Sequence, residues 1–172
     1  MKQKLPALSV MLDFEPPKQK RQIVKRFFSF SANRARIVQF LVDYKESEIK
    51  LYNIEMSHLP ESLVWLLGLG YSAVAFGHTN IAMYYSSFIR PFLGNKIGAW
   101  RFARRARKFA RRNMIIAIGL IAGGIHKTEP CYSASELEED LNACSKVDAK
   151  EVIIFRLAGM NKEIRKVCEK FV

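Results

Sequence analysis

Acidic and histidine side chains recur in one position along this chain, directly after short apolar runs. Asp13 and Glu15 follow the run Ala7–Leu12, and Glu55 and His58 follow Ile49–Ile54. His78 and Asn80 follow Tyr71–Phe76, His126 follows Met114–Ile121, and Arg156 lies near the end of Val152–Leu157. Two chemistries use such groups. A carboxylate pair flanking a scissile bond acts as general acid and as nucleophile or base, with burial or repulsion raising one pKa. Glu15 and Glu55 form the natural pair here, roughly 5–10 Å apart if the reading holds, with Asp13 tuning Glu15. His58, His78, Asn80, His126 and Arg156 would then bind substrate hydroxyls or relay protons. Alternatively, His58, His78, His126 and a carboxylate would hold a divalent metal that activates water. The histidine spacings match no local zinc signature, and no cofactor motif is present. The bland alternative is that these polar residues cap helices and satisfy loop backbone.

Both chemistries need elements that bring the run ends together. The five apolar runs read as buried strands. Helical patterns lie between them, over Lys18–Phe30, Asn33–Tyr44, Glu61–Gly68, Ile81–Phe92 and Ala99–Arg112. Ile37, Phe40, Leu41 and Tyr44 recur at helical spacing. Ser133-x-x-Glu136 is a capping box ahead of a stripe of Leu137, Leu141 and Cys144. A last helix starts near Asn161 and carries Ile164, Val167, Cys168 and Phe171 on one face. Continuous apolar strands alternating with helices predict an α/β domain with a parallel sheet, residues 1–172 forming one unit. Five strands suit an open sheet or a partial, truncated TIM barrel, since a full barrel needs about 250 residues. In either, ligands bind at the carboxyl ends of the strands.

The stretch Leu12-Asp13-Phe14-Glu15-Pro16 resembles the D-x-E-P strand end of some TIM-barrel glycosidase-like proteins. The stretches Ala117–Gly124, Tyr132–Leu137 and Val152–Leu157 are similar in rhythm to the closing units of such barrels. The resemblance implies a carbohydrate ligand, a carboxylate role for Glu15, and descent from the C-terminal part of a larger barrel. The expected activity is hydrolysis of a sugar-like substrate.

Charge supplies a rival. The 172 residues hold 28 Lys and Arg against 16 Asp and Glu, a net charge of +12. Residues 91–128 alone carry 9 basic and no acidic residues. Seven of them are Arg101, Arg104, Arg105, Arg107, Lys108, Arg111 and Arg112. At about 100° per residue they fall on one arc, opposite Phe102, Ala103, Ala106, Phe109 and Ala110. A non-enzymatic protein whose amphipathic helix, residues 99–112, contacts nucleic acid or an anionic membrane surface would show this pattern. A structural alternative pairs that face with the acidic helix of Glu136, Glu138, Glu139 and Asp140. Lys18, Lys20, Arg21, Lys25 and Arg26 form a second basic cluster.

Composition narrows the classes further. An apolar content of 49% excludes a wholly disordered chain. Three cysteines without a C-x-x-C pair argue against a disulfide framework and for thiols in a reducing, cytoplasmic compartment. The N-terminus makes a poor signal peptide. The longest apolar runs, Leu63–Gly77 and Met114–Ile125, have 15 and 12 residues, short of the roughly 20 a span requires. Membrane association stays open through the cationic helix before Met114. The open edge of a five-stranded sheet favours a homodimer.

Overall fold

The computed structural model describes residues 9–13, 27–45, 50–56, 61–66, 69–119, 121–123, 130–155 and 157–172. Strands β1 (Ser9–Asp13), β2 (Lys50–Met56), β3 (Thr79–Met83), β4 (Ile115–Gly119) and β5 (Val152–Phe155) alternate with helices. They form a five-stranded sheet in the order β1-β2-β3-β4-β5. The pairs β1–β2 and β4–β5 are parallel, with Leu12 beside Asn53 and Ile118 beside Ile154. The chain divides into two compact units inside β3, at Ile81 and Ala82.

In the first unit, α1 (Phe27–Lys45) packs through Leu41, which is buried with Leu51 and Tyr71. Ile37, Val38 and Tyr44 flank that contact. Phe40, expected on the same stripe, is instead exposed and leans on Tyr44, with ring centroids 5.5 Å apart. The described part of α1 runs unbroken through Ser31 and Ala32, where two separate helices were expected. A short α2 (Glu61–Leu66) follows β2.

Tyr71–Phe76 is not a strand. Its end forms a single helical turn, α3 (Ala73–Phe76). Ser72 Oγ accepts from the Ala75 N–H, and Gly77 closes the turn at φ 72°. These are helix start and stop signals, and over four residues they prevail over β propensity. Val74 consequently stands 94% exposed. The third strand begins later, at Thr79, within the expected loop and helix. Buried Ile81, Ala82 and Met83 continue it, and the Tyr84 N–H extends the pairing to the Ala117 carbonyl at 3.1 Å. The expected helix Ile81–Phe92 is therefore replaced by strand, a 3-10 turn (Ser86–Phe88) and a four-residue α4 (Arg90–Leu93).

In the second unit, every residue of β4 is buried. Around β4 pack Phe102, Ala106 and Phe109 of α5 (Asn95–Arg111) and Leu137, Leu141 and Cys144 of α6 (Ala134–Ser145). Ile164 and Val167 of α7 (Lys162–Cys168) complete the core. The capping box closes as the sequence implies: Glu136 Oε2 accepts from the Ser133 N–H at 2.8 Å, and the Glu136 N–H donates to Ser133 Oγ. Asn161 caps α7 through the Ile164 N–H at 2.9 Å. Cys131, Cys144 and Cys168 are free thiols. Among the described residues, no helix is long and apolar enough to cross a membrane.

Helix α5 docks through its apolar face and leaves its cations outside. Truncating Phe102, 1% exposed, to Ala is expected to lower the unfolding free energy by about 3–5 kcal/mol. Arg101→Ala on the outer face should change it by less than about 0.5 kcal/mol. Urea denaturation of the two variants measures the contrast.

Candidate functional site

The expected rim of acids and histidines divides into residues the structure separates, one pair it joins, and residues outside those described. Asp13 pairs with Ile54 across the β1–β2 ladder. Paired residues of a parallel ladder share a face, and successive residues alternate. Asp13 therefore lies on the face of Ile54, and Glu55 lies on the other.

Glu55 has its own partners. Asn80 Nδ2 donates to Glu55 Oε1 at 2.7 Å and to the Tyr71 carbonyl at 3.3 Å. Asn53 Nδ2, on a residue 1% exposed, donates to Asn80 Oδ1 at 3.3 Å. Glu55 and Asn80 thus meet in a part-buried ladder across β2 and β3. This contact satisfies polar groups that would otherwise be costly to bury.

His78 precedes β3 rather than ending a strand, so it does not lie at the carboxyl end where the expected strand Tyr71–Phe76 would have put it. Its ring stacks on Phe76, with centroids 6.3 Å apart and planes 13° from parallel. It is buried, and neither ring nitrogen makes a hydrogen bond. Burial lowers its pKa, while Asn80 and the Tyr71 carbonyl, beside the ring but outside bonding geometry, oppose the shift. Glu15, His58, His126 and Arg156 lie outside the described residues. Among those described, no group of three or more His, Cys, Asp or Glu side chains could hold a metal ion.

The second unit holds a polar cluster that sequence reasoning missed. Arg90, 2% exposed, donates from Nε to Ser86 Oγ at 3.1 Å. It also donates to Glu139 Oε2 and to Asp140 Oδ1, both at 2.7 Å. Asp140 Oδ2 accepts from Ser86 Oγ at 2.5 Å and from the Tyr132 hydroxyl at 2.6 Å. With both hydroxyl protons directed to Asp140, the 2.9 Å approach of Ser86 to Tyr132 is a contact without its own proton. Burial pushes the Asp140 carboxyl up, and Ser86, Tyr132 and Arg90 pull it back. Burial and the adjoining Asp140 also push the Tyr132 phenol up. The sequence signal was available: Arg90 is the only charged residue between Glu61 and Lys96. A lone cation in an uncharged stretch marks a buried, paired charge.

That cluster determines what faces the basic helix. All four acids of the α6 segment are engaged elsewhere. Glu136 caps Ser133, Glu138 accepts from Lys170 Nζ at 2.6 Å, and Glu139 and Asp140 take Arg90. Among the described residues, no carboxylate forms an ion pair with Arg101, Arg104, Arg105, Arg107 or Arg111. The seven cations, with Trp100 and Tyr84, line a groove of about 930 Å³.

Tyr84, 4% exposed, is the buried aromatic of that lining, 6.0 Å from Phe102 and 6.5 Å from Phe109 by ring centroid. Burial raises its pKa against the lowering effect of Arg105 and Arg101, so the phenol keeps its proton at neutral pH. Trp100 is 60% exposed, and the Arg104 guanidinium carbon sits 5.8 Å from its ring centroid. The groove offers fixed positive charge, hydrogen-bond donors and one exposed aromatic ring. Tyr84 was not among the residues the sequence singled out.

The chain has no match among protein-family models, curated proteins or solved structures.

Removing the guanidinium leaves Asp140 buried and uncompensated, so Arg90→Met is expected to cost about 3–5 kcal/mol. Adding Asp140→Leu should recover part of that loss, as read from urea midpoints. His78 has a second signature. Its folded pKa lies below the unfolded 6.5, so its contribution is intact above 6.5 and is lost as pH falls through the folded value. His78→Phe should keep the stack on Phe76 and remove that part of the decline. Denaturation between pH 7.5 and 4.5 checks this.

Proposed function

We propose that this is a non-enzymatic nucleic-acid-binding protein whose contact surface is the outer face of α5. One observation carries the reading: the acids of α6 are taken by Arg90, Lys170 and Ser133, which leaves a cationic groove without carboxylate partners for its central arginines. Phosphodiester chains recruit such surfaces through charge and counterion release, without base-specific contacts.

The anionic membrane surface is the less supported partner. An interfacial helix enters lipid through its apolar face, and here Phe102, Ala106 and Phe109 are buried in the protein core. A concave groove also suits a chain of phosphates better than a plane of headgroups.

The sheet reads as a segment of a (β/α)₈-type barrel. Its sequential strand order has no reversal, and a doubly wound sheet binds ligands where the order reverses. Sugar hydrolysis by Glu15 and Glu55 is less supported, because Glu55 is held in the Asn53–Asn80 ladder and Asp13 faces the other side of the sheet.

Fluorescence anisotropy with labelled oligonucleotides at several salt concentrations tests the proposal. Affinity should fall steeply with salt, and Arg104→Ala or Arg107→Ala should each reduce the log–log slope by about one. Salt-insensitive or absent binding overturns it. Binding to vesicles containing anionic lipid, without binding to oligonucleotide, would transfer the surface to the membrane.

A further inference from the structure

We infer that Trp100 is a stacking platform for an unpaired base, so that the groove prefers single-stranded nucleic acid to duplex. The inference rests on the nucleic-acid reading above and specifies its ligand.

Three observations support it. First, the aromatic side chains of α5 divide sharply: Phe102 and Phe109 are buried, and Trp100 is 60% exposed. An exposed indole contributes little to the core, yet it belongs to the lining of the cationic groove. Second, Trp100, Arg104, Arg107 and Arg111 recur at i, i+4, i+7 and i+11, one stripe along the helix. That stripe rises about 16 Å at 1.5 Å per residue, placing an aromatic ring at the end of a row of guanidinium groups. Third, Arg104 lies 5.8 Å from the indole centroid, within cation–π range. This contact restrains the ring, lowering the ordering cost of stacking on it.

An aromatic face beside a track of cations is how sequence-tolerant single-strand binders hold bases and backbone together. Duplex DNA offers the same phosphates but keeps its bases stacked on one another. The arginines therefore serve both ligands, and the indole serves only the unpaired one. Discrimination belongs to Trp100, and the polyelectrolyte part of the affinity belongs to the arginine row.

The test uses the full chain, a fluorescein-labelled dT oligonucleotide, and a duplex carrying the same number of phosphates. The wild-type protein should bind the single strand more tightly. Trp100→Ala should weaken single-strand binding by roughly ten-fold and leave duplex binding within about two-fold. Trp100→Phe should recover much of the loss, since a smaller ring still stacks. In a Trp65→Phe background, where Trp100 is the sole tryptophan, the single strand should quench its emission. Circular dichroism establishes that the variants fold.

Equal affinity for both ligands, or equal loss on both with Trp100→Ala, overturns the stacking role and leaves the charge-based reading intact. Failure of both ligands to bind overturns both. A blue shift of Trp100 emission on anionic vesicles, without quenching by oligonucleotide, also overturns the stacking role and assigns the indole to lipid.

Discussion

The buried guanidinium of Arg90 is the interaction on which the second unit depends. A charge 2% exposed is tolerated only if opposite charge and hydrogen bonds surround it. Ser86, Glu139 and Asp140 do so, and Tyr132 completes the shell of Asp140. The same arginine governs the approach of α5. A Cβ on Gly98 would come within 2.6 Å of Arg90 Cγ and 3.4 Å of its Cα. Only glycine lets the first turns of α5 lie this close to α4. One side chain thus orients α6 through its acids and seats α5 through its own stem. Its value lies in specifying that geometry, because a buried ion pair is weak evidence of net stability.

Neighbouring helices with opposite charge would ordinarily be expected to neutralise each other, as the sequence pattern of α5 and α6 suggests. Here the α6 acids satisfy Arg90 on the inside, Lys170 at one flank and the helix's own N-terminus. The arginines of α5 therefore stay outside with their charge uncompensated by α6. The apolar stripe of α5 anchors the helix rigidly, so the cations stand on a fixed element. An interface built on a packed helix loses less conformational freedom on binding than one on a loop.

Much of this was legible in the sequence, and the omissions share a cause. Patterns that depend on neighbours within one element were readable: the Ser133–Glu136 box, the Leu137–Leu141–Cys144 stripe, the cationic arc of α5, and four of the five strands. The third strand was misplaced because Tyr71–Phe76 carries β-type residues, while Ser72 and Gly77 bracket it as a helical turn. That misplacement carried His78 to the wrong end of a strand. Phe40 shows the same limit on a smaller scale, since helical spacing identifies a stripe but not its width. The Arg90 cluster joins residues some 50 positions apart and has no local spacing to read. Its one trace is negative, the absence of any other charge between Glu61 and Lys96.

Of the residues that first suggested chemistry, Glu55, Asn80 and His78 are held by the fold, whereas the cations of α5 line an open groove. Asn80 links Asn53 and Glu55 in a hydrogen-bonded ladder that leaves Asn53 Oδ1 without a partner among the described residues, and His78 is buried against Phe76. The bonded groups of the ladder are restrained by the cost of breaking those bonds in a part-buried setting. The α5 arginines are under the opposite constraint. Neighbours three and four apart on the helix lie within the Debye length of about 8 Å at physiological ionic strength, so their mutual repulsion is only partly screened. Added salt weakens that repulsion and equally weakens attraction to a polyanion. The folded state and a complex with a polyanion would therefore respond to salt with opposite sign.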